Sequence, residues 1–320
     1  MTACYLQLAQ ALQHGAAVLA TVTQVQGSVP REVGAKMVIC CNRTFNTIGG
    51  GAGEAKVMAQ ALQVLQTGKP QFVEIDLSGT PQRQTEGVCG GKMQVWLQRW
   101  SGERAIALVD QILQRLQTGQ TAQLVLPFST EQDPYLLAAD AIAPGPEQAY
   151  VERLQLPPTL LIVGAGHVGE QLAKVADLIG FRVLVQDDRS EWANSDRYPQ
   201  AARIYNQAIA AVLDQLTGCG QLYITLVTRG YQQDLEALKS ILQHQVSYQY
   251  LGMIGSQKRV STVYRELQQA GISPALFKTI HAPIGLNIGA LTPAEIAVSI
   301  SAELIQVRRR EEIYSRSKSG

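Results

Sequence analysis

Three glycines stand at G-x-G-x-x-G spacing in Gly164-Ala165-Gly166-His167-Val168-Gly169, and Asp187-Asp188-Arg189 follows about twenty residues later. Glycines in such a turn bare backbone N–H groups at a helix start, where the helix dipole favours an anion such as phosphate. An acid at this distance is where a ribose hydroxyl would be held. The same glycines would serve if they only let a helix pack closely on a strand. His167, inside the turn, is placed either to touch a phosphate or to cap the turn.

Other groups could take part. Thr228-Arg229-Gly230 and Gly255-Ser256 stand at the ends of two further strand-like runs, and ligands of doubly wound sheets sit outside the carboxyl ends of the strands. Lys258 and Arg259 follow, as phosphate partners or as a solvated helix face. His281, in a glycine-rich loop with Asn287, either lines the crevice or is a hydrogen-bonded structural histidine. Earlier in the chain, Ile48-Gly49-Gly50-Gly51-Ala52-Gly53-Glu54 runs into a helix, offering an anion site or a simple turn, with Glu54 complementing the helix dipole. The Cys89 thiol precedes Gly90-Gly91, where little shields it and backbone N–H groups could lower its pKa; as a residue type, cysteine is more often an inert small apolar side chain.

The elements that must position these groups can be read from periodicity. Leu160–Val163 reads as a buried strand. Val168, Leu172, Val175, Ala176 and Ile179 mark one face of a helix ending near Gly180, and Phe181–Val185 is the next strand. Strands over 202–205, 222–227 and 248–254 alternate with helices over 208–216 and 233–242. Thr292-Pro293-Ala294-Glu295 is a capping box opening a long closing helix. This is a doubly wound, Rossmann-like parallel sheet over 159–310. A smaller α+β domain over 1–126 precedes it, with helices over 3–14, 55–65 and 103–117 and strands over 17–25, 35–40, 71–77, 92–100 and 122–126; Gly27 to Arg31 make a turn. The proline-rich stretch 127–158 is expected as the interdomain connection, and 311–320 as a flexible polar tail.

Composition narrows the partners. The 320 residues carry 27 basic and 26 acidic side chains, leaving no broad cationic surface for nucleic acid, so the expected ligand is small. The apolar runs fall short of the roughly eighteen residues of a membrane span, and no basic start with a cleavage site is seen. A soluble cytoplasmic protein is expected. Five cysteines, with no Cys-x-x-Cys and no Cys/His cluster, point to reduced thiols and to no zinc site.

Taken in order, these motifs resemble the XdhC/CoxI family, the xanthine dehydrogenase accessory factors. Gly27-Ser28-Val29-Pro30-Arg31 with Gly34-Ala35-Lys36-Met37, Ile48 to Gly51 with Glu54, and Cys89-Gly90-Gly91 look like its N-terminal motifs. Gly164 to Gly169, Asp187 to Arg189, Thr228 to Gly230, Ile254-Gly255-Ser256 and His281 to Gly289 look like its C-terminal ones. The resemblance implies a maturation factor without turnover of its own that binds the molybdenum cofactor (molybdopterin), protects it, assists its sulfuration and delivers it to a molybdenum hydroxylase apoenzyme. A cysteine desulfurase would be the second partner, and a homodimer is a further expectation. Ser28, Arg31 and Cys89 would then lie at the cofactor with the glycine loops. Two residues depart from the family pattern: Tyr231 stands where His is common, and Asn287 where Asp is usual. The fingerprint alone also suits an NAD(P)-dependent oxidoreductase, with His281 and Tyr231 as its acid or base, or a nucleotide-sensing interaction protein.

Overall fold

Every side chain from Ala17 to Val22 is buried, as a strand covered on both faces requires. This strand, β1 (Ala17–Gln26), is the centre of the first sheet. The structure, a computed structural model, describes residues 2–40, 43–77 and 90–318, with side chains up to residue 310. The chain divides into two units, Met1–Leu156 and Pro157–Gly320.

In the first unit, α1 (Thr2–Leu12) leads into β1, β2 (Lys36–Cys40) and β3 (Arg43–Phe45). Then come α2 (Gly51–Thr67), β4 (Gln71–Asp76), β5 (Lys92–Trp100) and α3 (Gly102–Thr118). The five strands form an antiparallel sheet in the order β3-β2-β1-β5-β4. Alternation along β1 sends Val18, Ala20 and Val22 to α2, where Val57, Ala61 and Val64 meet them. Ala17 and Leu19 turn the other way, to Tyr5 and Leu8 of α1 and Val109 and Ile112 of α3. A second antiparallel sheet, β7-β6-β8, is made by β6 (Ala122–Pro127), β7 (Tyr135–Ala138) and β8 (Ala149–Leu154). A buried ion pair ties the two sheets: Lys36 Nζ of β2 lies 2.6 Å from Glu152 Oε1 of β8, and the Tyr5 hydroxyl donates to the same carboxylate.

The structure departs from the sequence reading here. Residues 127–158, expected as a connection, hold β7 and β8, so the division falls at Leu156/Pro157 instead. Prolines at strand edges and turns hide two short strands. The start of α2 includes Gly51 and Gly53, because Gly53 packs flat on Ile75 and leaves no room for a Cβ.

The second unit runs β9 (Thr159–Val163), α4 (His167–Leu178), β10 (Arg182–Gln186), β11 (Arg203–Tyr205), α5 (Ile209–Leu216), β12 (Leu222–Leu226), α6 (Tyr231–Gln243) and β13 (Tyr250–Met253). It closes with α7 (Gln257–Gln269), α8 (Pro274–Phe277) and α9 (Pro293–Lys318). Its sheet is parallel throughout, in the order β11-β10-β9-β12-β13. The fold is thus α/β and Rossmann-like, with the reversal of strand order between β9 and β12. Leu161 and Val163 face α5, α6 and α7, while Leu160 and Ile162 face α4 and α9. Each fully buried aliphatic contributes about 1.5–3 kcal/mol, so the sheet holds the glycine turn in place rather than the reverse. The helical backbone of α9 continues to Lys318, through most of the expected tail. No helix among the described residues is long and apolar enough to cross a membrane.

Candidate functional site

The tips of β9 and β12 touch at Gly164. Its φ is 109°, and a Cβ there would lie 2.6 Å from the Val227 carbonyl oxygen. Gly169 closes the turn from the other side, since its Cβ would lie 2.3 Å from the Gly164 oxygen. Between them Gly166 begins α4 with no side-chain cap. The N–H groups of His167, Val168 and Gly169 therefore have no intrahelical acceptor and form the positive end of the helix dipole. His167 itself is exposed, and its ring stands edge-on to Trp192 at 5.5 Å.

Asp187, the fingerprint acid, is occupied by the protein itself. It is 5 % exposed. Oδ2 accepts the Ala165 N–H at 2.8 Å and Arg189 Nη2 at 2.9 Å; Oδ1 accepts the Arg189 N–H at 3.1 Å and Nε at 2.9 Å. Burial alone would raise its pKa, but these hydrogen bonds outweigh it and hold the carboxyl at about 2. Arg189 lies over the Trp192 ring at 5.0 Å, and Arg197, which bonds Glu170 of α4 at 2.8 Å, lies over it at 4.3 Å. Trp192 thus pins the segment after β10 onto α4. Sequence reasoning missed this aromatic, because nothing in the one-dimensional spacing brings both arginines to it.

Asp188 has the opposite environment. Its side chain is 66 % exposed, and its two oxygens hold Arg229 Nη1 at 3.0 Å and Nη2 at 3.3 Å. Asp188 and Arg229 line a cavity of about 290 Å³ at the tips of β9, β10 and β12, together with Gly164, Asp187 and Thr228. The rest of the wall holds groups not singled out in the sequence: Asn206 and Gln207 after β11, and Gln233 and Glu236 on α6. Their only sequence signal was position just beyond a strand or within the next helix turn.

The neighbouring loop joins through one side chain. Arg259 of α7 donates from Nε to Asp234 at 2.7 Å and from Nη2 to Thr228 Oγ1 at 3.3 Å, while Thr228 donates to Asp234 at 2.6 Å. Asp234 is fully buried; burial raises its pKa against the pull of Thr228 and Arg259. Gly255 gives way to the Arg259 side chain, whose Cδ would lie 3.0 Å from an added Cβ, and Ser256 caps α7. Of the two readings of Arg259, the structure gives neither a solvated face nor a free phosphate partner, because the guanidinium is held by a buried acid. Gly230 is the N-cap of α6, and Tyr231, exposed, is its first residue.

His281 lies elsewhere. It bridges to Gly252 beside β13 and packs on Tyr250, on the α4 and α9 side of the sheet, whereas the cavity lies on the α5 and α6 side. Its Nδ1 is 3.0 Å from Glu303 Oε1, and Glu303 Oε2 accepts the Tyr250 hydroxyl at 2.5 Å and the Gly285 N–H at 2.8 Å. Burial would raise the Glu303 carboxyl, but the bonds from His281, Tyr250 and Gly285 lower it on balance. His281 is thereby a hydrogen-bonded member of a structural network; Asn287 is exposed in the loop that follows.

In the first unit three sequence motifs converge. A Cβ on Gly91 would lie 2.3 Å from the Ser28 carbonyl oxygen, and one on Gly49 would lie 2.4 Å from Pro30 Cγ. Ser28, Arg31, Gly49, Gly50 and Gly90 are exposed along this junction. Glu54 claims the loop: its Oε2 accepts the N–H groups of Ile48 and Gly50, each at 3.1 Å, and the Thr47 hydroxyl at 2.5 Å. Two of the loop's backbone donors, the Ile48 and Gly50 N–H groups, are thus already taken by a carboxylate. Cys89 lies outside the described residues.

Comparisons with known proteins agree with this architecture. A family model described as the XdhC Rossmann domain matches residues 160–304, and one described as the XdhC and CoxI family matches residues 11–76. The uncharacterized protein YqeB of Escherichia coli (strain K12) is 26% identical over 291 residues, 91% of this chain; the chain spans 43% of that protein's length. A probable xanthine dehydrogenase subunit of Bacillus subtilis (strain 168) is 28% identical, over 92% of this chain and 94% of its own. The molybdenum cofactor insertion chaperone PaoD of Escherichia coli (strain K12) is 24% identical, over 95% and 87%. A crystal structure described as a xanthine dehydrogenase from Bacillus halodurans shares the fold with a TM-score of 0.78, at 24% identity and 96% coverage of each chain. With both family models matched in order, one on each unit, the chain belongs to the XdhC and CoxI family.

Proposed function

We propose that this chain is an accessory protein of a xanthine dehydrogenase-type molybdenum hydroxylase, carrying the molybdenum cofactor as cargo. In this reading it shields the cofactor, assists its sulfuration by a cysteine desulfurase, and passes it to the apoenzyme in the cytoplasm. The observation that carries the reading is the open start of α4 beside the 290 Å³ cavity. It offers a phosphate-sized anion site next to a chamber for a heterocycle, in a chain whose relatives include one named a molybdenum cofactor insertion chaperone. Cys89, Ser28 and Arg31 are proposed at the cofactor on the family resemblance alone.

An NAD(P)-dependent oxidoreductase fits the site less well. The acid such an enzyme would turn to ribose, Asp187, has both oxygens engaged by Arg189 and Ala165. The groups offered as its acid or base, His281 and Tyr231, do not line the cavity. The test is transfer. Cofactor-free hydroxylase is incubated with molybdenum cofactor, with and without this protein, and recovered activity is followed. Faster or fuller recovery with the protein supports the proposal; the same recovery with and without it rejects the proposal.

A further inference from the structure

In the first unit β5 runs straight into α3: Trp100 ends the strand, Ser101 is the N-cap and Gly102 begins the helix. The Ser101 side chain makes no cap hydrogen bond, and the N–H groups of Gly102, Glu103 and Arg104 have no intrahelical acceptor. This turn lines a cavity of about 320 Å³, closed on its other side by the residues that lead into β7. Leu108, Pro134 and Tyr135 give it apolar surface, and two cations, Arg99 and Arg104, stand against one acid, Asp133. The Arg104–Asp133 contact is long, 3.9 Å, between side chains that are 92 % and 78 % exposed, so it holds the guanidinium weakly. Arg99, whose guanidinium rests beside Gly68 at the end of α2, adds a second positive charge to the wall.

Trp100 supplies the independent sign of a guest. It is 2 % exposed and lines this cavity, and its indole N–H is buried with no acceptor among the described residues. Trp96 and Gln98, on the same face of β5, also carry unmet buried polar atoms, but neither lines the cavity. A buried donor left unmet is costly, and most such groups in folded proteins have a partner. The cavity bordered by the Trp100 ring has room for one.

We propose that this cavity seats a small aromatic or heteroaromatic carboxylate. Its carboxylate settles at the start of α3, accepts the Trp100 indole N–H and takes Arg104 from Asp133, while its ring lies against Leu108 and Tyr135. A monoanion suits this wall better than a phosphate dianion, because Asp133 offsets one of the two guanidinium charges and repels further negative charge. Trp100 and Tyr135 favour an aromatic guest over an aliphatic one, and the volume, at the small end of ligand cavities, fits one or two rings. The seat belongs to the first unit and does not depend on the cargo reading.

The experiment is titration of the full chain with benzoate, nicotinate and naphthoate, with the matching amides, and with inorganic phosphate. Binding is followed by calorimetry and by the proton–nitrogen spectrum of the tryptophan indoles. Wild type is expected to bind at least one acid about tenfold or more tightly than its amide, and to bind phosphate no better than the amides. The Trp100 indole peak should shift as that acid is added; it is assigned from Trp100→Phe or, if that variant does not fold, by elimination from Trp96→Phe and Trp192→Phe. Arg104→Gln should weaken the acid about tenfold. Asp133→Asn should tighten it several-fold, by removing the competitor for Arg104. Both side chains are exposed, so neither change should move the melting temperature, and damage to the fold would not give effects of opposite sign. Failure of every acid to bind, equal binding of acid and amide, an indole peak that stays in place, or undiminished binding by Arg104→Gln overturns the proposal. Phosphate that binds more tightly than the acids also overturns it, and assigns the cavity to phosphate instead.

Discussion

The Asp187 carboxylate accepts the N–H of Ala165 at 2.8 Å, across 22 positions of the chain. A side chain at the end of β10 therefore fixes the glycine turn at the end of β9. The acid that the fingerprint reserves for a ligand instead builds the site that a ligand would enter.

Asp187→Asn should cost about 2–3 kcal/mol, the range for losing charge-assisted hydrogen bonds to a buried group. The pH dependence has a definite sign. The folded carboxyl titrates at about 2, below the unfolded value of about 3.9, so its stabilisation is complete above about pH 4 and is lost as pH falls toward 2. Denaturant unfolding of wild type and variant should give curves that converge in this acid window and stay separated at neutral pH. A constant separation down to pH 2 contradicts the assignment.

Asp188→Asn should behave differently although it is the adjacent residue. The exposed pair with Arg229 is worth about 0–1 kcal/mol, so thermal unfolding should barely move. A large loss of stability would mean that Asp188 is held by more than its exposed pair with Arg229.

Lys36→Met should destabilise the first unit by about 3–5 kcal/mol, because Glu152 is left charged and buried beside Tyr5. Adding Glu152→Leu should recover most of that loss. A double-mutant cycle by urea unfolding checks the coupling, and additive losses would contradict it.

Glu54→Ala should speed hydrogen exchange at the Ile48 and Gly50 amides, with a cost of about 1 kcal/mol, comparable to losing a helix cap. Unchanged exchange at both amides would show that the carboxylate does not hold this loop.

The doubly wound unit was legible because its information is local. Leu160 to Val163, the glycine spacing and Val168 to Ile179 each report one periodicity, and the strands fall close to where alternation and apolar runs place them. The partners of the charged groups were not legible. Asp187 and Asp188 are neighbours in sequence, yet one turns to Ala165 and the other to Arg229, and only the strand order β10-β9-β12 decides which. Loop position alone leaves His281 free to line the crevice. Its pairing with Glu303, about three helix turns beyond the α9 cap, depends on the packing of α9 against the sheet. The strands β7 and β8 were hidden by prolines and by their shortness.

The most direct measurement is retention of molybdenum cofactor after gel filtration, compared between wild type and Gly164→Val. The account predicts that wild type co-elutes with cofactor and that the variant, with a side chain forced against Val227 at the joined strand tips, loses it while unit one keeps its fold. Wild-type protein that emerges free of cofactor, or a variant that retains as much as wild type, would contradict the central claim.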